Sequence, residues 1–165
     1  MKLRAAVARN AVIKISSMRD KQFIIEKANS QQRDKIISLL TSANLPVEDL
    51  PDSLDNFLVS INDGQLIGAI GLEKYENCGL LRSLVVDKAY RSKNLGSAMV
   101  ESLEDNAVGL GIECIYLLTE TAPDYFEKKG YKRISRDEVP ASVKTSSEFG
   151  FVCPVSAIVM KKLMR

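Results

Sequence analysis

Histidine is absent from this 165-residue sequence. That removes Ser-His-Asp and Cys-His nucleophilic catalysis and the commonest metal ligand in one step, so no metal is expected and any chemistry runs on carboxylates, Tyr, Lys, Cys, backbone donors or a borrowed cosubstrate. Cysteine is scarce. Cys78, Cys114 and Cys153 are odd in number, stand far apart in the sequence and form no CxxC pair, which argues against a disulfide framework and against a zinc site. They are expected to be small buried apolar side chains. Charge of one sign is also missing: the net charge is only +2, so no concentrated basic face points to nucleic acid. No apolar stretch approaches the roughly 20 residues that span a bilayer, and the basic N-terminus lacks an apolar core followed by a small-residue cleavage site. The expected compartment is the cytoplasm, with neither a membrane nor a nucleic acid as partner.

What is present fits one globular domain, with 45% hydrophobic and 27% charged residues. Residues 1–21 show no patterning that pairs with the rest of the chain and are expected to form a flexible arm, leaving a domain over 22–165. Met18 stands just before the first regular strand, so a translation start there would still yield the whole domain. From that point strand and helix patterns alternate. FIIEKA (23–28) reads as a strand, and Asn29 or Ser30 is placed to cap a helix carrying Ile36, Leu40 and Ala43 on one face. FLVSI (57–61) and LIGAIGL (66–72) flank NDGQ, whose Asp-Gly signals a hairpin. LLRSLVV (80–86) is nearly continuous in apolar residues apart from Arg82 and reads as a central strand covered on both faces. Leu95, Met99, Leu103 and Ala107 recur every four residues, as one buried face of a helix requires, with a stop at Gly109 or Gly111. ECIYLLTE, a short helix over APDYFEKKG, YKRIS and SAIVMKKLM come next, with a polar loop holding one helical turn over 136–151. The fold class expected is α/β, a three-layer α/β/α arrangement: a mixed, mostly antiparallel sheet of about six or seven strands with helices on both faces.

The junction between the central strand and the long helix, RSKNLGS (91–97), is the segment richest in chemical meaning. A helix starting near Leu95 leaves backbone N–H groups of residues 93–97 without partners, and the macrodipole adds about half a positive charge there. That makes a cradle for phosphate. Gly96 leaves room for a bulky anion, Asn94 tolerates positive φ, and Arg91 and Lys93 add formal charge. An ordinary solvated helix start with incidental cations has the same spacing, and residue spacing alone leaves both readings open.

The stretch LRSLVVDKAYRSKNLGSAMV resembles the coenzyme-A-binding motif of the GNAT superfamily of N-acetyltransferases. That pattern is Arg or Gln, two residues, Gly, one residue, then Gly or Ala, and Arg91, Asn94 and Gly96 stand in those places. The resemblance covers about residues 23–163. Asn94 replaces the usual first glycine. The resemblance implies acetyl-CoA as cosubstrate, with the pyrophosphate on Arg91, Ser92, Lys93, Asn94, Leu95, Gly96 and Ser97. It also implies the pantetheine arm along the main chain of Leu84, Val85 and Val86, and a splay of the strand at 113–118 to admit the thioester. Amine and thioester then react directly. The family's usual acid to the departing thiolate is a Tyr at the position occupied here by Phe126, which cannot donate a proton. Tyr125 is adjacent and is the candidate acid, although one step along a helix turns a side chain by about 100°.

A narrower resemblance runs through LLTETAPDYFEKKGYKRISRDEVPASVKTSSEFGFVCPVSAIVM. It is similar to acetyltransferases of arsenic-resistance clusters and, more distantly, to the acetyltransferase domain of N-acetylglutamate synthases. This implies a small, amino-acid-like amine as acceptor, and family habit implies a homodimer. On the residues themselves, Arg82 is a cation in an apolar strand and needs an anion, either a substrate carboxylate or one of Glu73, Glu76 and Glu113. Glu73, at a strand end, is the candidate to accept the amine's proton, and Thr119 to hydrogen-bond the acetyl group or the acceptor. Two other readings stay open: an acetyltransferase acting on a protein or peptide, and a catalytically weak acyl-CoA-binding sensor. The segments VEDLPDSLDN and DEVPASVKTSSEF, long enough to lid the acceptor side, count against an open peptide groove.

Overall fold

Alternation and periodicity translate directly into layers. The computed structural model describes residues 13–17 and 21–165, and among these eight strands form one sheet. They are β1 (Ile13–Ser17), β2 (Lys21–Lys27), β3 (Phe57–Asn62), β4 (Gln65–Tyr75), β5 (Cys78–Val86), β6 (Cys114–Thr119), β7 (Lys132–Ile134) and β8 (Ile158–Leu163). The order across the sheet is β1-β2-β3-β4-β5-β6-β8-β7. Every neighbouring pair is antiparallel except β5 and β6, which run parallel. The sheet is therefore mixed and mostly antiparallel, as expected, with one strand more than the pattern indicated.

That extra strand corrects the reading of the N-terminal segment. Residues 13–17, expected to belong to a flexible arm, pair antiparallel with β2, Ile13 opposite Ile25 through Ser17 opposite Lys21. Interspersed charges hid the segment, because an edge strand needs no continuous apolar run. Residues 1–12 and 18–20, Met18 included, lie outside the described residues.

The strand-to-strand turn at Asp63 and Gly64 has positive φ at both positions, 48° and 76°, the conformation that matches the twist of a two-residue hairpin. Helix α1 (Arg33–Ser42) covers one face of the sheet and buries Ile36 and Leu40 against Phe57, Val59 and Val85. Helix α2 (Leu95–Gly109) covers the other, with Leu95, Met99, Leu103 and Ala107 all inside. The strand pleat sorts residues accordingly: Ile115 and Leu117 point to the α2 side, Cys114 and Tyr116 to the opposite side. Short helices α3 (Pro123–Lys128) and α4 (Ala141–Lys144), with one wider helical turn over Glu148–Val152, complete the chain. The segment expected as loop with a single turn is thus more helical than its polar composition indicated. No helix among the described residues is long and apolar enough to cross a membrane.

Cys78 and Cys114, remote in sequence, stand opposite each other where β5 and β6 pair, with their Sγ atoms 3.1 Å apart as free buried thiols. Parallel strands bring together positions that no sequence spacing relates.

Since α2 makes the larger core, Leu103→Ala is expected to lower unfolding free energy by about 2–5 kcal/mol, whereas Val108→Ala, on the exposed face, changes it by about 0.5 kcal/mol or less. Urea unfolding with an unchanged m-value checks both.

Candidate active site

The parallel pair β5 and β6 comes apart. Backbone pairing covers only Cys78 with Cys114, Gly79 with Ile115 and Leu80 with Tyr116; beyond it β5 continues to Val86 and β6 to Thr119 with no further pairing among the described residues. A bulge supplies the physical reason. The register of β5 against β4 moves from Gly71 opposite Arg82 to Ala69 opposite Val85, and Ser83 holds a φ of 58°. An extra residue bends and twists the strand that carries it, which takes β5 away from β6. A left-handed serine costs on the order of 1 kcal/mol or more, and such strain is characteristic of working sites. The splay that the family resemblance implied is thus present, and a cavity of about 480 Å³ opens in it. Its wall includes Leu84 of β5, Thr119 of β6, Tyr125 of α3, and Glu148 and Cys153 from the C-terminal segment.

One end of the splay meets the N-terminus of α2. Asn94 adopts the left-handed conformation that its side chain tolerates, φ 60° and ψ 14°, and Ser92 does the same at φ 63°. The Ala98 N–H donates to the Asn94 carbonyl at 3.1 Å, so the N–H groups of Leu95, Gly96 and Ser97 precede the first helical acceptor and are left open. No side chain of Asn94 caps them. A β-carbon at Gly96 would lie 3.3 Å from the Tyr125 hydroxyl and 3.8 Å from Val86 Cγ2, so glycine permits the close approach of α3 to this turn. Arg91 donates from Nε to the Val86 carbonyl at 3.0 Å, and Lys93 lies 5.5 Å from the centre of the Tyr90 ring. The first contact ties the turn to the end of β5 and occupies the Val86 carbonyl expected to serve a ligand. Leu84 and Val86 pack toward α2, whereas Val85 is buried on the α1 side.

Tyr125 and Phe126 divide their duties by the turn of the helix. Phe126 is buried edge-on between Tyr125 and Tyr131, with ring centres 5.2 and 5.6 Å away. Tyr125 is half-buried, and its hydroxyl is shielded from solvent with no hydrogen-bond partner among the described residues. Burial raises the pKa of this phenol, and the nearby Ser97 side chain works in the other direction. Thr119 accepts from the Ala122 N–H at 3.1 Å, so its oxygen fastens the turn into α3 while the residue lines the cavity.

Arg82 is almost fully buried and is already paired. Its guanidinium donates to Asp49 Oδ1 at 2.8 Å, to the Asp49 carbonyl at 3.2 Å, to Ser83 Oγ at 3.2 Å and to Glu73 Oε1, with Glu148 Oε1 at 3.8 Å from Nε. Of the anions considered from sequence, Glu73 is a partner; Glu113 instead accepts from Asn77, and Asp49 and Glu148 were missed. Its engagement leaves Arg82 poorly placed to take a substrate carboxylate. Glu73 is equally occupied, accepting from Arg82 and from the Tyr75 hydroxyl. Ser147 donates to Asp49 Oδ2 at 3.1 Å, so the two linkers expected to lid the acceptor side meet above Arg82. Burial pushes the Glu148 carboxyl up to about 7, against the pull of Arg82 and with the help of Asp49 and Glu73. Burial likewise pushes the Cys153 thiol up to about 11, which keeps it protonated and a poor nucleophile at neutral pH.

The comparisons with known proteins agree with this architecture. The amino-acid acetyltransferase of Mannheimia succiniciproducens is 24% identical over 130 residues, 78% of this chain and 28% of that protein. The chain therefore spans less than a third of the amino-acid acetyltransferases it matches. Among solved structures, the N-acetylglutamate synthase of Neisseria gonorrhoeae complexed with coenzyme A and N-acetyl-glutamate shares the fold at a TM-score of 0.76 and 19% identity, over 87% of this chain and 35% of that one. An acetyltransferase of the GNAT family from Staphylococcus aureus does so at 0.71 and 22% identity, over 87% and 99%. Residues 23–131 match the sequence profile of the Acetyltransferase (GNAT) family, and with well over half of its length inside that match the chain belongs to this family.

Proposed function

We propose that the protein is an acetyl-CoA-dependent N-acetyltransferase that moves the acetyl group to the amine of a small molecule. The observation that carries this reading is the coincidence of a β5 segment left unpaired on its β6 side with an uncapped helix N-terminus at the same end of the splay. Residues 91–97 take the diphosphate: three open N–H groups and the helix dipole provide the anion site, and Arg91 and Lys93 add charge at its rim. The pantetheine arm runs along Leu84–Val86 and brings the thioester into the cavity between β5 and β6. Holding the amine against the thioester carbonyl supplies most of the acceleration, since the amine attacks directly.

Tyr125 is the acid for the departing thiolate. Its hydroxyl sits against Gly96 and has no partner among the described residues; a buried hydroxyl left unbonded costs about 1–3 kcal/mol, a cost that a bound acceptor atom would offset. Burial keeps it protonated, which an acid requires. The family's usual position, Phe126, serves the core instead. The acceptor is small because the linkers carrying Asp49 and Ser147 meet over the acceptor side, which narrows the room for an extended peptide.

Acetyl-CoA at about 100 times its Kd is expected to stabilise the fold by about 2.7 kcal/mol, a rise in Tm of about 5–10 °C for a domain of this size. Gly96→Glu, which places a carboxylate in the cradle, abolishes the rise; a folded wild type with no shift would remove the basis of the proposal. Tyr125→Phe keeps the acetyl-CoA shift and lowers kcat about 100-fold in a free-thiol assay, while an unaltered kcat would exclude the tyrosine as acid.

A further inference from the structure

We propose that Glu148, rather than Glu73, is the base that receives the proton of the acceptor amine, and that the acceptor enters as an ammonium ion. The inference rests on the acetyl-transfer reading and assigns the acceptor side of the same cavity.

Three carboxylates surround Arg82, and they are not equivalent. Asp49 and Glu73 take the guanidinium's short hydrogen bonds, Asp49 also accepts from Ser147, and Glu73 also accepts from Tyr75. Glu148 receives none of these. Its Oε1 lies 3.8 Å from Arg82 Nε, within Coulomb attraction and beyond hydrogen-bond range, and among the described residues no donor reaches its carboxylate. Yet the residue is nine-tenths buried and forms part of the cavity wall, which Glu73 and Asp49 do not. A buried carboxylate short of donors at the edge of a cavity suits a ligand that brings them. An alkylammonium offers three.

Charge points the same way. The groups facing Glu148 are Arg82 from β5, Glu73 from β4, Asp49 from the linker after α1 and the Cys153 thiol beside it. One cation against three carboxylates leaves the acceptor side negative, which favours an ammonium and repels an acceptor carboxylate from Arg82. Burial among these groups lifts the Glu148 carboxyl to about 7, where a base is effective at neutral pH.

The step balances without a further reagent. The ammonium gives one proton to Glu148, which passes it to solvent. The freed amine attacks the thioester carbonyl, the C–N bond forms and the C–S bond breaks. The second N–H proton leaves with amide formation and replaces the one that the departing sulfur takes from Tyr125.

The test is the pH profile of kcat/KM for the best acceptor among putrescine, tyramine, L-arginine and L-glutamate. Wild type, with Glu148 as base toward an ammonium substrate, is expected to rise to an inflection near pH 7 and then level off. Glu148→Gln loses about 100-fold at pH 7, and its activity keeps rising to the amine's own pKa, since only free amine reacts; its acetyl-CoA-induced Tm shift is retained. An unchanged profile in Glu148→Gln overturns the inference and leaves acetyl transfer standing. Turnover of none of the four amines by a protein that binds acetyl-CoA removes both. Should Glu148→Gln not unfold cooperatively, Glu148→Asp keeps the charge beside Arg82: a lowered kcat with the inflection still near neutrality supports the assignment, and wild-type kcat contradicts it.

Discussion

The separation of β5 from β6 is the constraint on which the rest of this molecule depends. Two parallel strands that stayed hydrogen-bonded to their ends would fill the middle of the sheet and leave no cavity. Here pairing ends after Leu80 and Tyr116, and a bulge at Ser83 shifts the register of β5 against β4 just beyond that point. The unpaired backbone is tolerated because it faces a space rather than a packed core, since a buried N–H or C=O without partner costs about 1–3 kcal/mol. Gly96 lies beside both Val86 and Tyr125, since a β-carbon there would fall 3.8 Å from Val86 Cγ2 and 3.3 Å from the Tyr125 hydroxyl, so the proposed anion site and the proposed acid are neighbours.

Arg82 supports that geometry from the opposite face. It lies one residue before the bulge and holds the linker of Asp49, the end of β4 through Glu73 and the C-terminal turn through Glu148. A buried ion pair of this kind adds little net stability compared with a well-packed apolar replacement, but removing one partner leaves an uncompensated charge at a cost of about 3–5 kcal/mol. Its role is therefore positional: three segments far apart in sequence are fixed around one cavity, and the negative excess left over falls on the side where an acceptor would enter.

Much of this was legible in the residues. The four-residue recurrence of Leu95, Met99, Leu103 and Ala107 identified the α2 face because a buried helix stripe has no other period, and Asp63-Gly64 identified its turn because few residue pairs accept two positive φ values. Arg91, Asn94 and Gly96 marked the turn proposed here as the anion site for the same kind of local reason, since Asn94 does adopt the left-handed conformation. What stayed hidden was long-range. Glu148 and Asp49 lie in polar linkers that look solvated, and only the fold brings them to Arg82. Cys78 and Cys114 meet through a parallel register, and the apolar alternation of β1, Ile13 and Ile15 about Lys14, was too short to distinguish it from an unattached arm. Glu73 was legible as an Arg82 partner but not as one already saturated, since Tyr75 approaches from the same strand.

The central claim is that acetyl-CoA binds across the splay with its diphosphate on the start of α2. Amide hydrogen exchange measured residue by residue, with and without saturating acetyl-CoA, tests it most directly. The account predicts that the amides of Leu95, Gly96 and Ser97 exchange slowly only when acetyl-CoA is present, together with those amides of Leu84–Val86 that face the splay. Saturation that leaves these amides unchanged while slowing others elsewhere in the sheet would contradict it.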